Sequence, residues 1–453
     1  MSEDNQDQVP PPDDASGGDA SGTQDQNSGA SGEQPGTGES QAQSQPTQGS
    51  AADGGQDAGA AASNPAQPRR FGNPLAAVGH FFANIAHPIH PNTPFQPLPA
   101  PTGSAPYHLS LEAVLPAEQV ATIRAAERLM FHTAGDTGGI KSPQPQKIVA
   151  DHMTSDYQVT DATARPAFFY HLGDVVYFTG EGIEYFNQFY DPYDHYPSCI
   201  FAIPGNHDGD IMPDSDPSLA AFVRNFCTTT PAITKDAGEA HRDSMTQPNV
   251  YWTLEAPFAT IIGLYSNVPE GGKFDDTQIA WFESELANAP TDKALLLAVH
   301  HPAYSADQYH AGSKYIQQVL EQAFTKSGRV PDAVFSGHVH NYQRFTASFN
   351  GRDVPFLVVG AGGYWNLHSM QKGQDGNALL APLAFPELGV TLESFCADHH
   401  GYMQVEVTPQ TLKGEYYSVP RPQESWSAPA KLIDSFTLDL QTHHLVIPTV
   451  QNT

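Results

Sequence analysis

Seven compact apolar runs lie between Leu129 and Gly363: "LMFHTAGD", "AFFYHLGD", "CIFAIPGNHD", "ATIIGLYSN", "ALLLAVHHP", "AVFSGHVH" and "PFLVVGAGG". Each is hydrophobic continuously rather than alternately, and most close on glycine followed by a polar residue. A strand that meets water on one face alternates; a strand covered on both faces does not. The runs therefore specify buried strands with helices packed outside them, an α/β architecture of two packed sheets. "PAEQVATIRAAERL" (Pro116 to Leu129) and "DDTQIAWFESELANA" (Asp275 to Ala289) read as helices. "GYMQVEVTPQTLKGEYYSV" alternates and turns, as an antiparallel hairpin does. Two long irregular stretches, Gly209 to Asn249 and Tyr364 to Gly401, are insertions able to wall a site.

The N-terminal part follows other rules. The first 68 of the 453 residues contain no Leu, Ile, Phe, Tyr, Trp, Lys or Arg, yet eleven Asp or Glu. Such a segment cannot bury enough apolar surface to offset chain entropy, so residues 1–70 are expected to be a disordered acidic tail. Residues 71–106 read as a short amphipathic segment, "FGNPLAAVGHFFANIAHPI", followed by a Pro-rich linker. Residues 107–440 form one catalytic domain, and 441–453 a C-terminal tail. The net charge of −29 argues against stable nucleic-acid binding, while a bound cation can still reverse the sign of a pocket. Cys199, Cys227 and Cys396, without a CxxC, give neither a disulfide framework nor a thiolate metal site. The amphipathic segment is too short and too interrupted to span a bilayer. With no basic, apolar leader in view, a soluble and cytoplasmic protein is the default expectation, and non-classical export stays open.

The residues that end the runs carry the chemistry. They are Asp136 in "AGDTGG", Asp174 in "LGDVVYF", Asn206 and His207 in "PGNHDGD", His300 in "AVHHPAY", and His338 with His340 in "SGHVHNY". Open α/β sheets bind ligands beyond the carboxyl ends of their strands. Taken alone, each turn is ordinary turn chemistry, and two histidines at i, i+2 arise by chance in a chain with 20 histidines. Together and in order, they bring carboxylate, amide and imidazole groups to one edge.

In order and spacing these blocks resemble the metallophosphoesterase (calcineurin-like) superfamily, and most of all its purple acid phosphatase branch, from about Phe131 to Arg344. The resemblance implies a four-layer α/β/β/α sandwich of two mixed sheets, with metals at the carboxyl ends of the strands. It implies two metal ions, Fe(III) with a divalent Fe, Zn or Mn. Asp136, Asp174 and His340 hold the first, and Asp174, Asn206, His300 and His338 the second, with Asp174 bridging because two close cations need a shared anionic oxygen. The usual D-x-H histidine is replaced by Gly138. Tyr177 matches the tyrosine with which this branch makes good that loss; the alternative is an ordinary core aromatic. The implied activity is hydrolysis of phosphomonoesters by a metal-activated hydroxide. His207 would assist the leaving oxygen and His310 would contact substrate, the alternative being a surface histidine. His301, on the opposite face, receives no role, nor do His132, His171, His195, His399 and His400, and Arg344 reads as structural. Asp208, where the family commonly has Glu, keeps a phosphodiesterase on the same scaffold in view. A metal-binding, non-catalytic scaffold recruiting partners through the tail is the rival of another class.

Overall fold

The computed structural model describes residues 94–211, 216–373 and 375–446. The expected acidic tail and the segment Phe71 to Ile89 lie outside the described residues. Two sheets dominate. The larger has nine strands in the spatial order His108–Ser110, Trp252–Ala256, Ala259–Leu264, Ala294–Val299, Ala333–Ser336, Arg352–Val359, Tyr342–Phe349, Val390–Cys396 and Leu383–Phe385. The smaller has seven: His444–Leu445, Lys431–Asp439, Thr411–Ser418, Gly401–Val407, Leu129–Ala134, Phe168–His171 and Cys199–Ala202. Both are mixed. In each, the runs that end in candidate ligands are parallel neighbours, with Leu296 beside Ala333, His132 beside Phe169 and Phe168 beside Cys199.

The continuous runs are buried on both faces. In Ala294–Val299, Leu296 and Ala298 join one core with Phe335, Phe131 and Ala134 from the two sheets. Leu295, Leu297 and Val299 join a second core with Phe282 and Leu286 of the helix Asp276–Asn288 and Ile316 and Leu320 of the helix Lys314–Ser327. Full burial of each such side chain stabilises the fold by roughly 1.5–3 kcal/mol, which sets the registers firmly. The helix read from Asp275 starts as expected, with the Asp275 carboxylate accepting the N–H of Gln278 at 2.7 Å.

Some boundaries differ from the sequence reading. The first helix runs only Ala117–Ala126, because Glu127 takes a left-handed conformation and Leu129 already opens a strand. The second insertion supplies two strands, Leu383–Phe385 and Val390–Cys396, at one edge of the larger sheet. Residues 94–106, within the stretch read as a linker, have no regular structure but are anchored: Gln96 N–H donates to Asn267 Oδ1 at 2.8 Å and Asn267 Nδ2 donates to Gln96 O at 2.9 Å. His444–Leu445 pairs with Leu438 and Asp439 beyond the expected end of the domain. The hairpin stands as expected, Met403 opposite Tyr416.

Candidate metal centre

The sheets divide the donors between them. The parallel strands of the smaller sheet end just before Asp136, Asp174 and Asn206, and those of the larger sheet just before His300 and His338. Asp136, Asp174 and His338 have φ of 57°, 54° and 67°. Backbone held in this sparsely populated region clusters at functional sites. Gly205 must be glycine, since a Cβ there would meet the Asp174 carboxylate.

Two groups of polar atoms result. In one, Asn206 Oδ1 lies 3.0 Å from His300 Nε2 and 2.9 Å from His338 Nδ1, and His300 Nε2 lies 3.3 Å from Asp174 Oδ2. His300 Nδ1 donates to Leu172 O at 2.8 Å, so in the neutral ring Nε2 carries a lone pair. Asp174 Oδ2 is buried without a hydrogen-bond donor, while its Oδ1 accepts the N–H of His207 at 2.9 Å. With both imidazoles neutral and unprotonated at the nitrogens nearest Asn206, each of these atoms offers a lone pair, a set that a cation satisfies. In the other group, His340 Nε2 lies 3.6 Å from Asp136 Oδ1 and 3.3 Å from the Tyr177 hydroxyl, which is 3.4 Å from Asp136 Oδ1. His340 Nδ1 donates to Asn366 O at 3.0 Å, again leaving Nε2 free for a cation.

The electrostatics tell the same story. Burial, with Asp174 adding to it, pushes Asp136 well above the carboxylate range. Burial works in that direction on Asp174 too, but the imidazoles of His300 and His207 hold it down. Burial presses His300 down while Asp174 lifts it to about 9. His338 is pushed down to about 4, chiefly by burial, and Tyr177 well up, chiefly by burial. Buried acids and imidazoles displaced in opposite directions mark a functional site.

Gly138 and Tyr177 are two sides of one fact. A side chain at 138 would run into Gln188 Oε1 and approach Tyr177 Cδ2 to 2.7 Å. The tyrosine ring occupies the space that a histidine at 138 would need.

The structure brings Asp136, Asp174, Tyr177, Asn206, His300, His338 and His340 to these groups, with His207 against them, its ring 4.5 Å from that of Tyr177. His207 Nδ1 donates to Phe178 O at 2.8 Å, which leaves Nε2 outside that bond. His310 sits beside His338, ring centroids 4.5 Å apart, with Nδ1 3.0 Å from Glu270 Oε1. Burial opposes its protonation, yet Glu270 holds it up to about 8. His301 turns from Asn206 and pairs with Ser266 Oγ at 2.7 Å. Asp208 is a turn device: its carboxylate accepts the N–H groups of Gly205, Val175 and Val176. Arg344 forms a two-pronged pair with Asp434 at 2.6 and 3.0 Å.

Sequence reasoning missed four contributors. Glu270 approaches His338 Nε2 to 3.6 Å. Tyr364 and His368 flank His340, their ring centroids 4.6 and 4.3 Å from its own. Gln188 holds the backbone of Tyr177. Only Glu270 left a trace, in the loop after the apolar run "ATIIGLYSN".

The comparisons with known proteins fall on the same segment. The model of the calcineurin-like phosphoesterase family matches residues 135–342. That segment, a little under half of the chain, holds every candidate ligand turn described above. Purple acid phosphatase 21 of Arabidopsis thaliana is 28% identical over 130 residues, 27% of this chain and 29% of that protein. Probable purple acid phosphatase 20 of the same plant is 28% identical over 175 residues, 36% of this chain and 37% of that protein. The chain thus matches well under half the length of these relatives. The structure of purple acid phosphatase PPD1 from yellow lupin (Lupinus luteus) seeds aligns with a TM-score of 0.45 at 17% identity, covering 69% of this chain and 54% of that one.

Proposed function

We propose that this protein is a binuclear metal-dependent hydrolase of phosphomonoesters. The observation that carries the reading is the convergence of lone-pair donors from two sheets into two adjacent groups, with an unshared carboxylate oxygen on Asp174. Asp136, Tyr177 and His340 would hold one ion, Asn206, His300 and His338 the other, and Asp174 both. Tyr177 supplies a hard anionic oxygen suited to Fe(III), and the neutral imidazoles and amide suit a divalent Fe, Zn or Mn. When bound, such a pair supplies a positive field for the phosphoryl oxygens and lowers the pKa of water. The chain's own residues do the rest. Asp174 Oδ1, fixed by the His207 N–H, keeps its carboxylate oriented toward His300. His207, tethered at Nδ1, exchanges a proton at Nε2 with the leaving oxygen, and His310 offers an imidazolium to the phosphoryl group.

Asp208, the residue that kept the phosphodiesterase in view, is occupied with backbone N–H groups of a turn. Metal analysis of protein purified without added ions, with turnover of p-nitrophenyl phosphate and its bis-ester, tests the reading. Two metals per chain and preference for the monoester are expected. Fewer than one tightly held metal, or preference for the bis-ester, would overturn it.

A further inference from the structure

The segment Tyr364–His368 crosses the outside of His340 and is fixed there. Tyr364 and His368 pack on the imidazole, Asn366 O accepts its Nδ1–H, and the His368 N–H donates to His340 O at 3.0 Å. None of these contacts uses Trp365, whose indole stands 40% exposed, 6.1 Å from Tyr364. A large ring displayed on immobilised backbone beside a reaction centre is a stacking surface prepared in advance.

Lys141, five residues past Asp136, brings its ammonium to 5.1 Å from the Trp365 ring centre and 5.8 Å from that of Phe178. The side chain is exposed, and no carboxylate among the described residues pairs with it, in a chain of net charge −29. Two aromatic faces hold the cation without neutralising it. Phe178 O accepts the His207 Nδ1–H, and the Phe178 ring centre lies 6.1 Å from that of His207, so the ammonium over that ring stands on the side of His207, the group proposed above to serve the leaving oxygen.

We propose that Trp365 and Lys141 form the leaving-group subsite, and that it selects a planar ring joined to its own negative charge, the nucleoside diphosphate class. The proposal rests on the hydrolase reading above. The base stacks on Trp365, the inner phosphate meets Lys141, and the terminal phosphate lies at the two donor groups. A water oxygen bonds to the terminal phosphorus as the bond to the bridging oxygen breaks. That oxygen keeps the electron pair on the nucleoside monophosphate, and one proton is released to solvent. An anionic leaving group is poor unless its charge is met, which Lys141 does and a bare aromatic rim does not.

The test compares adenosine diphosphate, adenosine monophosphate and glycerol 3-phosphate as substrates of the metal-loaded wild type, Trp365→Ala, Trp365→Phe and Lys141→Ala. Calorimetric binding of a methylene-bridged, non-hydrolysable diphosphate analogue runs alongside. Trp365→Ala is expected to lower the diphosphate-to-glycerol phosphate ratio of kcat/KM about tenfold, through KM, and to weaken the analogue equally. Trp365→Phe restores most of it, and Lys141→Ala lowers the diphosphate relative to the monophosphate. Ratios and analogue affinity within twofold of wild type in both alanine variants would overturn the subsite. If glycerol phosphate is still cleaved in that case, the hydrolase reading stands alone. Analogue binding that depends on Trp365, in a protein that cleaves none of the three, supports the subsite and sinks the hydrolase reading.

Discussion

The backbone of Tyr177 is clamped where its hydroxyl lies 3.4 Å from Asp136 Oδ1 and 3.3 Å from His340 Nε2. Gln188, fully buried, accepts the Tyr177 N–H at Oε1 and donates from Nε2 to the Tyr177 carbonyl, both at 2.9 Å. Glu184 Oε2 takes a further N–H of the same amide at 3.0 Å. Replacing Gln188 with Met keeps the bulk and removes both partners, so one buried N–H and one buried C=O are orphaned. Each such group costs about 1–3 kcal/mol, which puts the variant about 2–6 kcal/mol below wild type. Gln188→Glu keeps an acceptor for the N–H but loses the donor and sets a carboxylate against Glu184, so it should also lose at least about 1–3 kcal/mol. Urea midpoints at unchanged slope, measured on metal-free protein, read these losses apart from any metal effect. A Gln188→Met variant within about 0.5 kcal/mol of wild type, a span typical of a surface substitution, would show that the clamp does not hold Tyr177 in place.

Three further outcomes are expected. Tyr177→Phe should remove the visible charge-transfer band of iron-loaded protein; an iron-loaded wild type without colour would remove the phenolate assignment. His207→Ala should keep both metals and lose about 10²–10⁴ in kcat, and unchanged turnover would rule out its role at the leaving oxygen. Away from the centre, burial holds His132 below its ordinary value although it donates to Asp156 at 3.0 Å. The unfolded chain therefore binds a proton more readily near pH 6.5, and stability falls as the pH drops below about 6.5. Asp156 adds to this lower down: burial opposes its ionisation, but His132, Tyr402 and Gln404 hold it below the carboxylate range. Its contribution is present above about pH 3.9 and lost as pH falls through the folded value. Urea midpoints against pH should fall less steeply for His132→Asn between about pH 6.5 and 5; equal slopes would refute the assignment.

The candidate ligands were legible because each follows a buried strand at once, where glycine and a polar side chain leave little else to be read. Neither the sheet to which a run belongs nor its neighbour could be read, since "CIFAIPG" and "ALLLAVH" are equally apolar and end in opposite sheets. The end of the first helix was hidden because Glu127 and Arg128 are good helix formers, and the demand of Leu129 for its place in the sheet overrides them. Glu270 lies six residues beyond the end of its strand, out of reach of the rule that found Asp136 and Asp174. Tyr364 and His368 sit in an insertion without periodicity, and only the wrap around His340 gives them meaning. Gln188 shows a side-chain amide satisfying another residue's backbone, which no spacing announces.

The division of donors explains why the centre needs both sheets. Asp136, Asp174 and Asn206 all come from the smaller sheet, and on that edge alone two buried carboxylates face each other, with His207 helping to hold the charge of Asp174. His300, His338 and His340 come from the larger sheet; the opposite ring nitrogens of His300 and His340 are held by Leu172 O and Asn366 O, and Glu270 approaches that of His338 to 3.6 Å. Those tethers cross the seam as well: Leu172 belongs to the smaller sheet's edge and orients a histidine of the larger. The His338 N–H likewise donates to Asp136 Oδ2 at 2.8 Å. Each sheet thus fixes the orientation of the other's donors before any ion arrives. A slip of one sheet by a single residue would turn oxygen and nitrogen away together, because the side-chain period along a strand is two. The same seam places His207 and Trp365 on one side of the donor groups, so the register that builds the centre also decides where a leaving group can lie.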